Sequence, residues 1–325
     1  MRISGRTLRT LVAVAAGGAV TFLLLGSTGD LGEAVGRIIA SVSTADPGYL
    51  GIALLLFIAS QVARAWRWKL LSWEQPISMS KALPINAIHV GLGHLLPLRL
   101  ADPALVGLFR YYGRLSLGRG TATVVLSKLL DMAAMGTLVS CAVAGGLSGK
   151  AALAAALVGV LSLAAVFFIA GILSVLRKPF LRITRGRFEK GYENLAQAVT
   201  VGSGRRGRFA ASYILSLMAW SVKLFMFVFL LRAMGIDFQP VWKVLVAGAV
   251  TDATLAMPVH GLLGLGTLEA GWVAGFAVVG VTNDLAPGLG IVEAGFSMHL
   301  LWMFFAVLLM ILGGLYLLLS GREAR

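Results

Sequence analysis

A single cysteine, Cys141, closes no disulfide within the chain and offers no thiolate pair to a metal. It lies in an apolar run and reads as a small packing residue. Histidine is almost as scarce, with four in 325 residues. None of them forms a His-Glu-x-x-His pair, and no paired-cysteine spacing exists, so no metal site and no cofactor are expected. Charge is thin at 13% and lopsided, with 14 acids against 28 Lys and Arg. No polar stretch is long enough to make a separate soluble catalytic domain, and no nucleophile–base–acid constellation is evident. The chain is therefore read as a non-enzyme. Gly264-Leu-Gly266 is followed by no Lys-Ser/Thr and flanked by no strands, which excludes a phosphate-binding Walker loop and a dinucleotide fingerprint.

What the chain has in abundance is apolar surface: 58% hydrophobic residues and a mean hydropathy of +0.88. That is the composition of a membrane protein. The net charge of +14 points to no nucleic acid, because the basic residues sit beside apolar spans and read as anchors against anionic lipid. Met1 to Arg9, followed by the apolar run Leu11 to Leu25, has the layout of a secretory signal. It lacks a small-x-small cleavage site, so a retained first helix is expected.

The expected fold is an all-α polytopic membrane protein with about six full spans and two interrupted, re-entrant helical hairpins. The full spans are Leu8–Gly26, one from Gly48 to the Arg64-Ala-Trp-Arg-Trp-Lys69 boundary, Gly120–Leu147, Ala151–Leu176, Phe209–Arg232 and Ala294–Ser320. Ser27 to Pro47 is expected to be an acidic outer loop. Residues 1–325 form a single transmembrane domain, with inverted halves at about 48–176 and 209–320. They are joined by a basic linker, 177–208, whose Phe180, Phe188, Tyr192, Leu195 and Val199 recur at helical spacing. That linker is expected to lie on the inner membrane surface. Counting charge on alternate sides puts 22 of the 28 basic residues on the face shared by the amino terminus, Arg64 to Lys81, Arg99 to Arg119, the linker and the carboxyl terminus, and four on the other face. The bias predicts a bacterial-type inner membrane with both termini cytoplasmic.

The two interruptions carry the functional reading. In the first, the apolar run from Ala82 to Leu96 is about 22 Å long as a helix, short of a hydrocarbon core about 30 Å thick. Gly91, Gly93 and Pro97 are expected to break it, and His94, Arg99 and Asp102 follow within a few residues. In the second, Val241–Met257 breaks at Pro258 to Gly266 and resumes over Thr267–Val281. Two readings remain for each: a re-entrant hairpin, or an ordinary loop between short elements. Broken segments in corresponding places of inverted halves mark the substrate site of a transporter.

Arg99 presents a planar fork suited to phosphate, or snorkels to the interface. Lys128 and Asp131 share a helix face, either pairing with each other or with Lys128 turned to a lipid phosphate. Gly264 and Gly266 open a helix start that admits an anion. Glu269 sits in that first turn, as a helix-start device or as acceptor of an amine or proton. Asp252 is the second acid, and His94 and His260 stand at the breaks as further candidates. The expected substrate-binding set is Arg99, Asp102, Lys128, Asp131, Asp252, Gly264, Gly266 and Glu269, converging on one cavity.

Four stretches resemble the lysylphosphatidylglycerol synthase transmembrane region, a flippase-like integral membrane family. They are Arg64-Ala-Trp-Arg-Trp-Lys-Leu-Leu71, Gly91 to Asp102, Ala122 to Asp131 and Gly264-Leu-Gly-Thr-Leu-Glu-Ala270. The likeness runs in order over about Gly48 to Gly314. The chain departs from the family pattern at His94 in place of Asn, Ala101-Asp102 in place of Gly-Glu, Ser127-Lys128 in place of Glu-Arg, and Leu262-Leu263 in place of Pro-Gly. The resemblance implies translocation of a phospholipid or polyprenyl-linked lipid, with an anionic or lipid-linked headgroup as partner. It implies no aminoacyl transfer, since no synthase domain accompanies it. Two other functions fit the same residues: a membrane glycosyltransferase-type enzyme or its membrane subunit, and a proton-coupled small-solute transporter.

Overall fold

The structure, a computed structural model, describes residues 5–72, 75–96, 100–146, 149–187, 206–254, 262–282, 285–286 and 288–322. In the linker it describes 189, 192–193, 196–197 and 199–200. The described residues form helices and no named strand: α1 Gly5–Gly26, α2 Leu31–Ser43, α3 Pro47–Leu71, α4 Met79–Leu95, α5 Ala101–Tyr111, α6 Leu117–Gly146, α7 Gly149–Phe167, α8 Ile169–Ile183, α9 Arg206–Ala233, α10 Val241–Thr254, α11 Thr267–Val278 and α12 Ile291–Arg322. A 3₁₀ turn, Leu262–Gly264, precedes α11. Helices that satisfy every backbone group internally are what an apolar chain needs in lipid.

Four helices are long and apolar enough to cross a membrane: α3, α6, α9 and most of α12. On α9 the outward side of the span is apolar, and polar residues lie inside among the buried apolar ones. Ser212, Ser216 and Lys223 are buried while Ile214, Met218 and Phe225 face outward. Polar groups turned inward and apolar ones outward describe a helix solvated by lipid. The protein is thus a multi-pass membrane protein.

Three elements differ from the sequence expectations. Residues 27–47 are not a loop, since most of them form α2. Asp30 caps it by accepting the Glu33 amide at 2.9 Å, and the axis turns 92° from α1 across Gly29, whose φ is +102°. Gly91 and Gly93 do not break α4, which runs on to Leu95. Gly91 instead lets Met310 of α12 approach, since a Cβ there would sit 2.5 Å from the Met310 Cβ. In the linker, Tyr192 and Val199 are buried rather than turned to the bilayer. Tyr192 donates its hydroxyl to the Leu173 carbonyl, and Val199 packs with Leu71, Leu126, Leu130 and Phe209. Phe188 and Leu195 lie outside the described residues.

The chain forms two compact units. The first comprises residues 1–59, 87–103 and 222–325, and the second 60–86 and 104–221. Within the first, α10 and α11 make a hairpin of two short helices. At 1.5 Å per residue they extend about 21 and 18 Å, each short of a full span. Their separation is set by glycine: a Cβ on Gly275 would lie 2.6 Å from the Ala247 Cα, and one on Gly271 2.6 Å from the Thr254 methyl. Gly271 and Gly275 are four apart, the small-xxx-small spacing that brings membrane helices together. Within the second unit, α6 lies along α7, and Trp68 meets Phe109 edge-on at 4.9 Å.

Candidate functional site

The first unit carries a chain of ionisable side chains buried among aromatics. Lys223 on α9 donates to Asp252 on α10 at 2.6 Å, with their side chains 7% and 1% exposed. The same ammonium lies 4.1 Å from the centre of the Trp302 ring on α12, a cation–π contact that offsets part of its desolvation. His94, near the end of α4, stands edge-on to Trp302 at 4.5 Å and 5.8 Å from the His299 ring. Nδ1 of His299 lies 2.6 Å from Oε1 of Glu269, both residues being fully buried.

Glu269 has a second duty. Its Oε2 accepts the Gly266 amide at 2.7 Å, so the carboxylate caps the start of α11. Leu263, Gly264 and Gly266 all take positive φ, which turns the chain sharply into that helix. Gly266 is close-fitted as well: a Cβ there would run into the Gly17 carbonyl of α1. Both readings of Glu269, helix-start device and buried acceptor, therefore hold together.

Several polar atoms in this cluster have no hydrogen-bond partner among the described residues: His94 Nδ1, His299 Nε2, Asp252 Oδ2 and Trp302 Nε1. Buried polar groups are ordinarily paired. These four atoms are the positions of the cluster that can still take a hydrogen bond. Near the start of α12, Glu293 is held by Arg37 of α2 at 2.9 Å, and Ser41 meets Ser297 at 2.6 Å.

The second unit holds a different arrangement. Arg67 of α3 grips Asp131 of α6 with both guanidinium nitrogens, Nη2 to Oδ2 measuring 3.1 Å. Trp220 Nε1 donates to the same carboxylate at 2.7 Å, and Arg67 Nη1 donates to Ser216 at 2.7 Å. The Arg64 guanidinium stacks over the Trp220 ring at 4.6 Å. Asp131 is thus engaged by a residue 64 positions away, where local spacing had offered Lys128 as its partner. Lys128 is half-buried on the same helix.

Of the sequence-derived candidates, the structure places His94, Asp252 and Glu269 in one continuous buried cluster of the first unit, with Gly264 and Gly266 forming its turn. Asp102, also in the first unit, pairs with His89 at 3.3 Å. Lys128 and Asp131 belong to the second unit. Arg99 and His260 fall outside the described residues. Sequence reasoning missed Lys223, His299, Trp302 and Arg67 as site members. A usable signal existed for two of them, because Lys223 and His299 are ionisable residues inside long apolar runs. Among the described residues no three His, Cys, Asp or Glu side chains are grouped to hold a metal.

No curated protein and no solved structure matches the chain. The profile of the lysylphosphatidylglycerol synthase TM region does, over residues 10–300, which takes in both units and every residue of the two buried clusters except Trp302. That match spans most of the chain, and the protein belongs to the lysylphosphatidylglycerol synthase transmembrane-region family.

Proposed function

We propose that the protein carries a phospholipid or polyprenyl-linked lipid with an anionic headgroup from one leaflet to the other, as a transporter and not an enzyme. The observation that carries this reading is the buried chain Asp252–Lys223–Trp302–His94–His299–Glu269. Groups of this kind are costly in an apolar fold and are kept there for a pathway. On this reading the helix–break–helix elements α4/α5 and α10/α11 are re-entrant hairpins entering from opposite sides. The shortness of α10 and α11 supports this, as does their close antiparallel packing. Arg99 is then the phosphate-binding cation and Gly264 and Gly266 the helix start that admits the anion, with Asp252 and Glu269 as the acids. Proteoliposomes containing an acyl-labelled phosphatidylglycerol test it directly. The purified protein is expected to make the label in the inner leaflet accessible to an external quencher much faster than protein-free vesicles do. The charge-neutral changes Arg99→Gln and Glu269→Gln should each slow this by about tenfold or more, the loss of one transition-state interaction of 1.4 kcal/mol, with expression retained. Equal rates with and without protein would remove the reading.

The same proposal sets the orientation: both termini and the basic linker on the cytoplasmic side. A cysteine placed at Ser203 in a Cys141-free background should resist an impermeant thiol reagent added to intact cells and react in inverted vesicles. Labelling from outside would reverse the topology.

A further inference from the structure

We propose that His94, His299 and Glu269 form a proton site, and that the protein moves one proton together with each anionic headgroup, in the same direction. This rests on the translocator reading and adds its energy source.

The argument starts from charge. Lys223 and Asp252 cancel each other at 2.6 Å. With His299 Nε2 carrying its own proton, Glu269 and His299 share a second one across 2.6 Å, on Nδ1 or on Oε1, and in either form that pair is neutral. The resting cluster is therefore neutral with His94 uncharged, the state a low-dielectric surround favours. A further proton has a defined place to go: the His94 ring, whose Nδ1 is buried and, like His299 Nε2, has no hydrogen-bond partner among the described residues. The rings are 5.8 Å apart, so a proton taken up at His94 is felt by the Glu269–His299 pair. Groups serving only to fill space would have apolar shape, and groups serving only to hold helices together would have both nitrogens paired.

The other charges around the cluster decide when that proton is welcome. Lys223 faces the opposite side of the chain across Trp302 and repels it. Glu293, six residues before His299 on α12, is held by Arg37, and Asp102, which follows α4, is held by His89. Neither carboxylate is left to balance a second positive charge. An incoming monoanionic headgroup is, so the anion and the proton each favour binding of the other, by the same factor. The proton enters with the anion and leaves with it, and the pair crosses as an electroneutral load. No bond other than N–H or O–H forms or breaks.

The test uses the full-length protein. In vesicles carrying acyl-labelled phosphatidylglycerol, a gradient of one pH unit is a tenfold proton ratio. With one proton per lipid it should drive the label toward the alkaline-side leaflet by up to about tenfold. Reversing the gradient should reverse the asymmetry. His94→Asn should bring the distribution back to equal. Independently, infrared difference spectra of purified protein between acid and neutral pH should contain carboxyl and imidazole bands that disappear in Glu269→Gln and His299→Gln. Label that equilibrates equally under either gradient overturns proton coupling while leaving the translocator reading intact. Absence of any lipid movement, with or without a gradient, overturns both. Spectra unchanged by the two substitutions overturn the assignment of the site to these residues.

Discussion

Asp131→Asn should cost the folded protein about 3–5 kcal/mol, the usual consequence of removing one partner from a buried ion pair. Arg67 is 2% exposed, and its two hydrogen bonds to the carboxylate have no replacement of equal strength in an amide. Trp220 and Ser216 would remain, but neither balances the guanidinium charge. The expected observation is a large fall in thermal stability in detergent, read as loss of monodisperse protein on heating. Arg67→Met should do the same for the mirror-image reason, leaving a buried carboxylate. The double change Arg67→Met with Asp131→Leu should cost less than the two single losses added, because no charge is then stranded. A single Asp131→Asn protein as heat-resistant as the parent would show that the pair is well hydrated and not structural.

The second large effect lies at Gly275. Gly275→Val should prevent the α10/α11 hairpin from closing. The new Cβ would stand 2.6 Å from the Ala247 Cα and 2.8 Å from the Ala247 carbonyl oxygen, and both are backbone atoms that cannot rotate away. Overpacking ordinarily costs about 1–3 kcal/mol where side chains can yield, and more is expected where only backbone can move. The hairpin carries Asp252 and Glu269, so the buried cluster should be lost with it. Gly93→Val is the matched control: it too lies inside a helix, but a Cβ there meets nothing within 4 Å. Expression and size-exclusion profiles of the two variants separate the outcomes. A well-folded Gly275→Val protein would mean that the two helices can part without consequence.

These two sites differ in how far the sequence announces them. The Gly271-x-x-x-Gly275 spacing is local and visible, since one turn of helix places both glycines on one face. The partner of Asp131 is not. Local spacing offers Lys128, three residues away, whereas the fold supplies Arg67 from another helix and adds Trp220 and Ser216. The same holds for Glu269. Its place in the first turn of α11 is readable from Gly266 to Glu269, but its contact with His299, 30 residues later, is not.

By itself the sequence determined the class of the protein, the positions of its apolar helices, the two interruptions and the acids beside them. Each of these follows from a property that repeats or stops within one or two turns: hydropathy, helical period, glycine, proline, a charge in an apolar run. Only the tertiary structure decided that Gly91 and Gly93 lie inside α4, that α2 replaces an outer loop, and that Tyr192 and Val199 cover the protein's own core. It alone chose Lys223 for Asp252, His299 for Glu269 and Arg67 for Asp131. The physical reason is that a buried charge requires some partner, a demand written at its own position. Which partner meets the demand is fixed by helix packing, and that depends on the whole chain at once.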